Sequence, residues 1–246
     1  MLRNETIDVL SLCTPPALHA KQIQAAAGKV KAIICEKPLS ERAVDGKKAV
    51  RQCAGKRTAL AVNYYKRFES PVEQMKVLLK RGALGRVHTV LGTYSGPFGA
   101  VGSHMVDTMR YLFGDWQLVS AHKAKGEEEA YSAILKNGSA KGLLNWSGRR
   151  HDLIFELDVV GTKGRAYLVD NFSSLWLSLF QTSKRYGGYR ELSHPKQVKL
   201  PKRERFLPLF EDVLRNINAG KRLISSGADA LKTQELMDTI TRNVRS

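Results

Sequence analysis

The chain has 246 residues, 43% of them hydrophobic and 26% charged, which is ordinary globular composition and enough length for one or two domains with proper cores. No apolar stretch approaches the length that crosses a bilayer, and the first residues lack the basic-then-apolar order of a signal peptide. Cys13, Cys35 and Cys53 lack metal-ligand spacing, so we expect buried free thiols and no metal site, which fits a cytoplasmic location. Without a membrane-crossing stretch, we expect no membrane partner.

The formal net charge of +17 is the one unusual feature of the composition. It is compatible with a nucleic-acid partner, an anionic substrate or merely a basic surface. The basic residues are scattered, and no zinc-finger spacing, RNP-type aromatic motif or basic heptad accompanies them. A small phosphate-bearing substrate therefore explains the charge at least as well as nucleic acid does, and we expect no specific nucleic-acid partner.

The first part of the chain has the pattern of alternating strands and helices. Residues 7–13 predict a strand, Thr14 the N-cap of a helix that runs to about residue 27, and residues 32–36 a second strand. This strand–helix–strand spacing is typical of a βαβ unit with a parallel sheet. The pattern continues with a helix over 41–54 capped by Ser40, a strand over 58–63 and a helix over 71–81.

The pattern changes after Gly85 to a strand-rich second half. Asn137-Gly138 and residues 162–164 are hairpin turn signals, which favour antiparallel pairing. Residues 183–204 are polar, basic and interrupted by proline, so a mobile surface loop is predicted there. The predicted strands are 86–95, 117–123, 130–136, 141–147, 152–161 and 164–170, and the predicted helices are 103–113, 206–219 and 228–245.

The apolar strand over 32–35 ends abruptly on Glu36-Lys37-Pro38. Proline cannot donate to a strand ladder, so the strand must stop there. In an open parallel sheet, ligands bind just beyond the carboxyl ends of the strands, where Glu36 and Lys37 emerge. A lysine at that place suits a proton donor, a hydroxyl-binding group or an anion clamp, whereas the plain alternative is a surface Glu–Lys pair.

Three other places bring polar side chains towards the same kind of cleft. His19 follows Thr14-Pro15, Lys66-Arg67 follow a predicted strand, and His104 follows a glycine-rich loop. His104 and Asp107 lie three residues apart, on one face of a predicted helix. Taken singly, His19 could merely cap its helix and Lys66-Arg67 could be solvated charges, whereas a histidine after a glycine loop favours a functional group.

Six segments of the sequence match the pattern of one known protein family. In chain order they are Thr14-Pro15-Pro16 with His19, Glu36-Lys37-Pro38, Asn63 to Phe68, Gly82 to Val87, Gly102-Ser103-His104 with Asp107, and Phe155-Glu156-Leu157 with Gly161 to Gly164. Together they resemble the Gfo/Idh/MocA family of NAD(P)-dependent oxidoreductases, which act mostly on sugars and cyclitols. No single piece is specific, but their order and spacing are, and the resemblance covers essentially the whole chain. It implies an α/β fold, with a partial Rossmann-type parallel sheet over residues 1–85 and an α+β domain with a large, mostly antiparallel sheet over residues 86–246.

The resemblance also implies a reaction: hydride transfer between NAD or NADP and a hydroxyl of a sugar, cyclitol or nucleotide sugar. Lys37 would lie near the nicotinamide and the reacting hydroxyl, and His104 would be the acid/base histidine. The roles are coherent, because histidine titrates near neutral pH and an ammonium favours an alkoxide-like transition state. The positions implied for cofactor binding are Thr14, Pro15, His19, Glu36, Lys37 and Arg67, and those for substrate binding are Tyr65, Lys66 and Asp107. A homo-oligomer formed through the outer face of the second-domain sheet is also implied.

Two features depart from the family pattern. Nothing matches the Gly-x-Gly-x-x-Gly phosphate loop, so the sequence is expected to begin at what would be the fourth strand of the nucleotide-binding sheet. The sheet edge at Val9 to Leu12 would then be open to a pairing partner. Many members carry an aspartate four residues before the catalytic histidine, and Ala100 stands there in this chain. The alternative prediction is therefore a non-catalytic fragment, or a binding or regulatory subunit of the same fold.

Overall fold

The structure is a computed structural model that describes residues 5–149, 151–202, 204 and 206–245. Contacts divide the chain into two compact units, a first unit of Met1–Phe68 with Glu204–Asp238 and a second unit of Glu69–Arg203 with Thr239–Ser246. The domain division at residue 85 stays a prediction. None of the helices in the described ranges is long and apolar enough to cross a membrane.

The secondary structure consists of six helices and thirteen strands in the described residues. The helices are α1 (Pro16–Ala26), α2 (Ala43–Gly55), α3 (Ser70–Lys80), α4 (Ser103–Phe113), α5 (Leu207–Ala219) and α6 (Gly227–Arg242). The strands are β1 (Val9–Leu12), β2 (Ala32–Cys35), β3 (Ala59–Val62), β4 (Val87–Tyr94), β5 (Gln117–Lys123), β6 (Tyr131–Asn137), β7 (Ala140–Trp146), β8 (Phe155–Gly161), β9 (Gly164–Val169), β10 (Ser174–Thr182), β11 (Arg190–Leu192), β12 (Lys196–Gln197) and β13 (Val244–Arg245).

The first unit contains the predicted parallel sheet, in the order β1-β2-β3. The central strand β2 is buried at all four positions, as the apolar run predicted. Its side chains alternate between two cores, with Ile33 and Cys35 packed among residues of α1 and α2, and Ala32 and Ile34 packed beside residues of α5. The prediction of a small parallel α/β sheet is confirmed.

The two predicted helix caps are wrong. Helix α1 begins at Pro16 with Pro15 at the cap position, and the Thr14 hydroxyl instead donates to Gln22 Oε1 at 2.6 Å. Proline suits the first turn because it has no N–H that needs a partner and its φ is already helical. Ser40 likewise does not cap α2, since its hydroxyl donates to the carbonyl of Arg42 at 2.8 Å and α2 begins after that residue.

The three cysteines are free thiols, but only two of them are buried. Cys13 follows the last residue of β1 and is exposed, so the prediction of burial is wrong for that residue. Burial raises the pKa of Cys53 to about 11 and is the main cause that raises the pKa of Cys35 to about 12. Both buried thiols are therefore protonated at neutral pH and serve as small apolar side chains.

The second unit is built on a ten-stranded sheet with the order β11-β10-β9-β8-β4-β7-β6-β5-β13, in which β12 also pairs with β10. Strand β4 is parallel to β7 and antiparallel to β8, and β13 is parallel to β5. The other pairs are antiparallel, which confirms the prediction of a large, mostly antiparallel sheet.

One face of this sheet is covered by α4, because Gly92 of β4 has no side chain where Met105 and Met109 of the helix pack. A Cβ atom at Gly92 would lie 2.7 Å from Met105 Sδ. The opposite face carries a row of neighbouring residues that includes Ile134 and Leu143, which are 48% and 40% exposed. A sheet face with large exposed apolar side chains is typical of a surface that contacts another molecule.

The strands β10, β11, β12 and β13 were not predicted. Residues 190–192 and 196–197 lie in the predicted mobile loop, yet they pair with β10, so the prediction of a structureless loop is wrong for them. Arg203, at the end of that loop, lies outside the described residues. The predicted helix over 228–245 ends at Arg242, and β13 follows it. Strands β11, β12 and β13 have only three, two and two residues, so they carry little periodic signal and their pairing is set by distant partners.

Candidate functional site

The register of the parallel sheet places the carboxyl ends of its three strands side by side. Leu12 pairs with Cys35, and Cys35 pairs with Val62. The backbone N–H of Glu36 donates to Leu12 at 2.9 Å, and that of Asn63 donates to Cys35 at 2.8 Å. The residues that follow the strands therefore share one edge of the sheet, which is where an open α/β sheet binds its ligand.

His19 is fully buried and joins two of the loops at this edge. Its Nδ1 lies 2.8 Å from the carbonyl oxygen of Pro38, and its Nε2 lies 2.7 Å from that of Thr14. A neutral ring donates to only one of these oxygens, whereas a protonated ring donates to both. Both ring nitrogens are thus engaged with backbone, and this side chain fixes the Thr14 and Pro38 loops. The role of His19 beside a cofactor stays a prediction.

Asn63 is a candidate site residue that the sequence analysis did not single out. Its amide Nδ2 donates to Glu36 Oε1 at 2.6 Å, an orientation that follows because a carboxylate can only accept. Its Oδ1 is buried and has no hydrogen-bond partner among the described residues. A buried acceptor without a donor is costly, so this oxygen suits a ligand N–H or O–H. The available sequence signal was a polar residue directly after a buried strand.

Lys37 follows Glu36 at the same edge and is half-buried. Burial lowers the pKa of Lys37 below its ordinary value of 10.5, and the neighbouring Glu36 carboxylate acts in the opposite direction. Desolvation has the larger effect, because it disfavours the charged ammonium. The Glu36 carboxylate, which acts against this lowering of the Lys37 pKa, accepts a hydrogen bond from Asn63. Lys37, Glu36 and Asn63 therefore form one connected group.

Residues Tyr65–Phe68 form a 3₁₀ turn after β3, in which Lys66 and Arg67 are only 7% and 3% exposed. Arg67 Nη1 donates to the carbonyl of Ile224 at 2.6 Å and lies 3.8 Å from the Asp229 carboxylate. These contacts give Arg67 partners within the first unit, and its predicted cofactor contact stays a prediction.

The two predicted substrate residues of this turn lie close to each other. Lys66 Nζ lies 5.5 Å from the centroid of the Tyr65 ring. The Tyr65 and Phe206 rings pack at an interplanar angle of 61°, with their centroids 5.3 Å apart. The contacts of Tyr65 and Lys66 with a substrate stay predictions.

His104 and Asp107 belong to the second unit and lie in the first half of α4. A π-helical turn over Phe98–Gly102 precedes the helix, and Gly102 packs against the rings of Phe98 and Tyr94 with no room for a side chain. Asp107 is fully buried, whereas His104 is partly exposed. The structure therefore presents the histidine, and not the aspartate, to solvent.

The described residues contain no group of three or more His, Cys, Asp or Glu side chains that could hold a metal ion. The edge of the parallel sheet instead offers an ammonium, a carboxylate and an unsatisfied amide oxygen. Such a set can bind hydroxyl and amide groups of a small polar ligand and can favour a developing negative charge on oxygen.

Comparison with known proteins identifies the family to which this sequence is similar. Residues 1–64 match the sequence model of an oxidoreductase family with an NAD-binding Rossmann fold. Residues 91–246 match the model of the C-terminal α/β domain of the same family. Both models carry the family name Gfo/Idh/MocA, and the second alone covers more than half of the chain.

Individual relatives are similar at moderate identity. Levoglucosan dehydrogenase of Pseudarthrobacter phenanthrenivorans is 31% identical over 137 residues, which are 47% of this chain and 35% of that protein. The oxidoreductase YrbE of Bacillus subtilis is 27% identical, and the match covers 38% of its length. The chain thus spans little more than a third of these two relatives. Inositol 2-dehydrogenase of Rhizobium meliloti is 24% identical over 97% of this chain and 78% of its own.

Solved structures share the fold of this chain. A levoglucosan dehydrogenase in complex with NADH and levoglucosan has a TM-score of 0.84 at 19% identity, over 98% of this chain and 79% of that one. An NAD-binding oxidoreductase from Klebsiella pneumoniae has a TM-score of 0.86 at 16% identity, over the same shares. At such identities the likeness shows the fold alone. With both family models matched in order along the sequence, the predicted resemblance is confirmed, and the chain belongs to the Gfo/Idh/MocA oxidoreductase family.

Proposed function

We propose that the chain takes part in hydride transfer between NAD or NADP and a hydroxyl of a sugar, cyclitol or nucleotide sugar. Family membership supports this class of reaction, and so do two relatives, an inositol 2-dehydrogenase and a levoglucosan dehydrogenase. The observation that carries the proposal is the group at the edge of the parallel sheet: Lys37, Glu36 and Asn63, with one buried amide oxygen left for a ligand.

The residues present fit the nicotinamide end of such a cofactor. Asn63 Oδ1 can accept a hydrogen bond from a ligand N–H or O–H, and the Glu36 carboxylate can accept hydrogen bonds from ligand hydroxyl groups. Thr14 and Pro15 belong to the neighbouring loop, which His19 fixes through its contact with the Thr14 carbonyl. When bound, the nicotinamide ring supplies the hydride acceptor. NAD and NADP are both compatible with these residues.

The side chains of this chain would handle the proton and the charge. Lys37 would donate a hydrogen bond to the reacting hydroxyl and stabilise the negative charge that develops on its oxygen. His104 would accept the hydroxyl proton, while Tyr65, Lys66 and Asp107 would serve the substrate. The C–H bond of the carbinol breaks as hydride, the O–H bond breaks as proton, and a carbonyl forms.

One observation favours the alternative of a binding or regulatory chain. Strand β1 is an edge of the three-stranded sheet within the described residues, and it pairs only with β2. An edge strand presents unpaired N–H and C=O groups to another strand, from this chain or from a partner. The same family fold would then bind a ligand or a partner without turning over a substrate.

Titration with NADH and NADPH, followed by nicotinamide fluorescence, tests the proposal first. We expect saturable binding to the full chain and weaker binding to Lys37→Ala. With inositol or levoglucosan and the oxidised form of whichever cofactor binds, NAD⁺ or NADP⁺, we expect turnover that His104→Asn lowers about 10²- to 10⁴-fold, the usual contribution of a general base. His104→Asn should keep its affinity for NADH, because the proposal gives it no contact with the cofactor. No saturation up to millimolar cofactor would reject the enzyme and favour the alternative.

We also propose that the open face of the large sheet mediates self-association. Ile134 and Leu143 are cross-strand neighbours on that face, and Leu91 pairs with Leu143. Apolar side chains in a row across strands suit a second copy of the same surface. Leu143→Glu should lower the mass measured by sedimentation equilibrium, whereas Lys47→Glu, which places a carboxylate at an exposed position of α2 in the first unit, should not. A wild-type chain that sediments as a monomer would refute this.

A further inference from the structure

We infer that the first unit holds a second binding site, for a small phosphate monoester with a ring-shaped body such as a nucleoside monophosphate. The site is a cavity of about 550 Å³. This volume lies within the range of small-molecule pockets. It is separate from the group around Lys37 and takes no part in the proposed hydride transfer.

The position of the cavity distinguishes it from the candidate site. Lys31, which precedes β2, and Thr58, which precedes β3, line its wall. Glu36 and Lys37 follow the other end of β2. The cavity therefore lies at the amino ends of the parallel strands, whereas the candidate site lies at their carboxyl ends.

The charge of the wall selects an anion. Three basic side chains line the cavity, Lys31, Arg57 and Arg222, and no lining residue in the described chain carries a carboxylate. Two of the cations have partners outside the lining, since Lys31 lies 3.0 Å from Asp8 and Arg222 lies 3.7 Å from Asp229. Arg57 forms no ion pair among the described residues. A guanidinium of this kind binds phosphate oxygens through paired N–H donors.

The rest of the wall suits a ring. Val50, Leu60, Ile217 and Leu223 supply apolar surface. The thiol of Cys53 also lines the cavity and is uncharged at neutral pH, because burial raises its pKa to about 11. Inorganic phosphate would leave this surface unused, whereas a nucleoside monophosphate would cover it and place its dianion on the arginines.

The backbone at Arg57 provides a sharp variant. Arg57 has a φ of 54°, a left-handed conformation that glycine adopts without strain. Arg57→Gly therefore removes the guanidinium while relieving the backbone, and the variant should fold at least as well as the wild type. Ala54→Trp is a second variant, which fills the cavity and leaves every charge in place.

Binding of AMP carrying a fluorescent methylanthraniloyl group on its ribose tests the proposal with the full chain. We expect saturation below about 1 mM, and about tenfold weaker binding in Arg57→Gly and in Arg222→Ala. Ala54→Trp should abolish binding. Two controls should bind like the wild type: Arg51→Ala, an exposed arginine of α2 outside the cavity, and Lys37→Ala, which belongs to the candidate site. Circular dichroism checks that each variant is folded.

Each outcome decides the proposal. Loss of binding in the cavity variants but not in the two controls supports the site, whatever the result of the NADH titration. No saturation, or equal weakening by Arg51→Ala and Arg57→Gly, would overturn it as non-specific attraction to a basic surface. Displacement of the probe by inorganic phosphate at the same concentration as by AMP would overturn the assignment of the apolar wall to a ring.

Discussion

Replacing Lys37 with methionine should lower kcat/KM for the oxidation of a cyclitol or sugar by about 10²- to 10³-fold, the usual loss when one donor to a developing oxyanion is removed. Methionine keeps much of the apolar stem of lysine and removes the ammonium. The loss should fall on kcat more than on KM, because the negative charge on oxygen is larger in the transition state than in the bound alcohol. Lys29→Met, an exposed lysine in the turn before β2, is the matched control and should be silent.

The pH dependence of kcat/KM tests the role of Lys37 in a second way. The ammonium of Lys37 is lost as the pH rises through its lowered pKa, so activity should fall on the alkaline side. The Glu36 carboxylate raises the pKa of Lys37, and Glu36→Gln removes that effect. The alkaline limb of kcat/KM should therefore move to lower pH in Glu36→Gln. An unchanged limb would mean that another group titrates there, and Lys37 would lose its proposed role.

The same lowered pKa fixes the sign of its effect on stability. The unfolded chain holds the Lys37 proton up to about its ordinary value of 10.5, whereas the folded chain releases it at lower pH. Between the two values the unfolded state binds more protons, so the contribution of Lys37 to the free energy of unfolding rises with pH. Burial of this lysine thus costs stability at neutral pH, as is common for groups placed for function.

The short apolar strand was predictable because its signal is local. Ala32 to Cys35 could be assigned to a central parallel strand, and Glu36-Lys37 to its carboxyl end, from consecutive residues alone. Register then aligns the ends of neighbouring parallel strands without further information. For the same reason the β6–β7 and β8–β9 pairs of the second sheet followed from their hairpin turns.

The contacts that shape the site were beyond prediction because they join distant parts of the chain. His19 meets the carbonyl of Pro38, and Asn63 meets Glu36, through side-chain geometry that no spacing rule encodes. The clustering of basic residues in space was beyond prediction for the same reason. Lys31, Arg57 and Arg222 meet around one cavity although they are far apart in sequence, so charge that looks diffuse along the chain is local in space.

Arg67 shows how one motif residue can be assigned to two different roles. Sequence resemblance assigns it to the cofactor, whereas the structure buries its guanidinium against the Ile224 carbonyl and the Asp229 carboxylate. A buried guanidinium with such partners orders the segment that it contacts. The two roles make opposite predictions for a variant that keeps the stem of the side chain and removes its charge.

Arg67→Met should lower the free energy of unfolding by about 2–3 kcal/mol, because the Ile224 carbonyl loses a charged donor and Asp229 loses a buried cation. Urea denaturation measures this change. Arg222→Met is the matched control: Arg222 is 84% exposed and lies 3.7 Å from the same carboxylate, so its removal should cost less than about 1 kcal/mol. With Arg67 in this structural role, the affinity of folded Arg67→Met for NADH should stay within about threefold of wild type, because that role needs no contact with the cofactor. An unchanged free energy of unfolding together with lost affinity for NADH would instead assign Arg67 to cofactor binding.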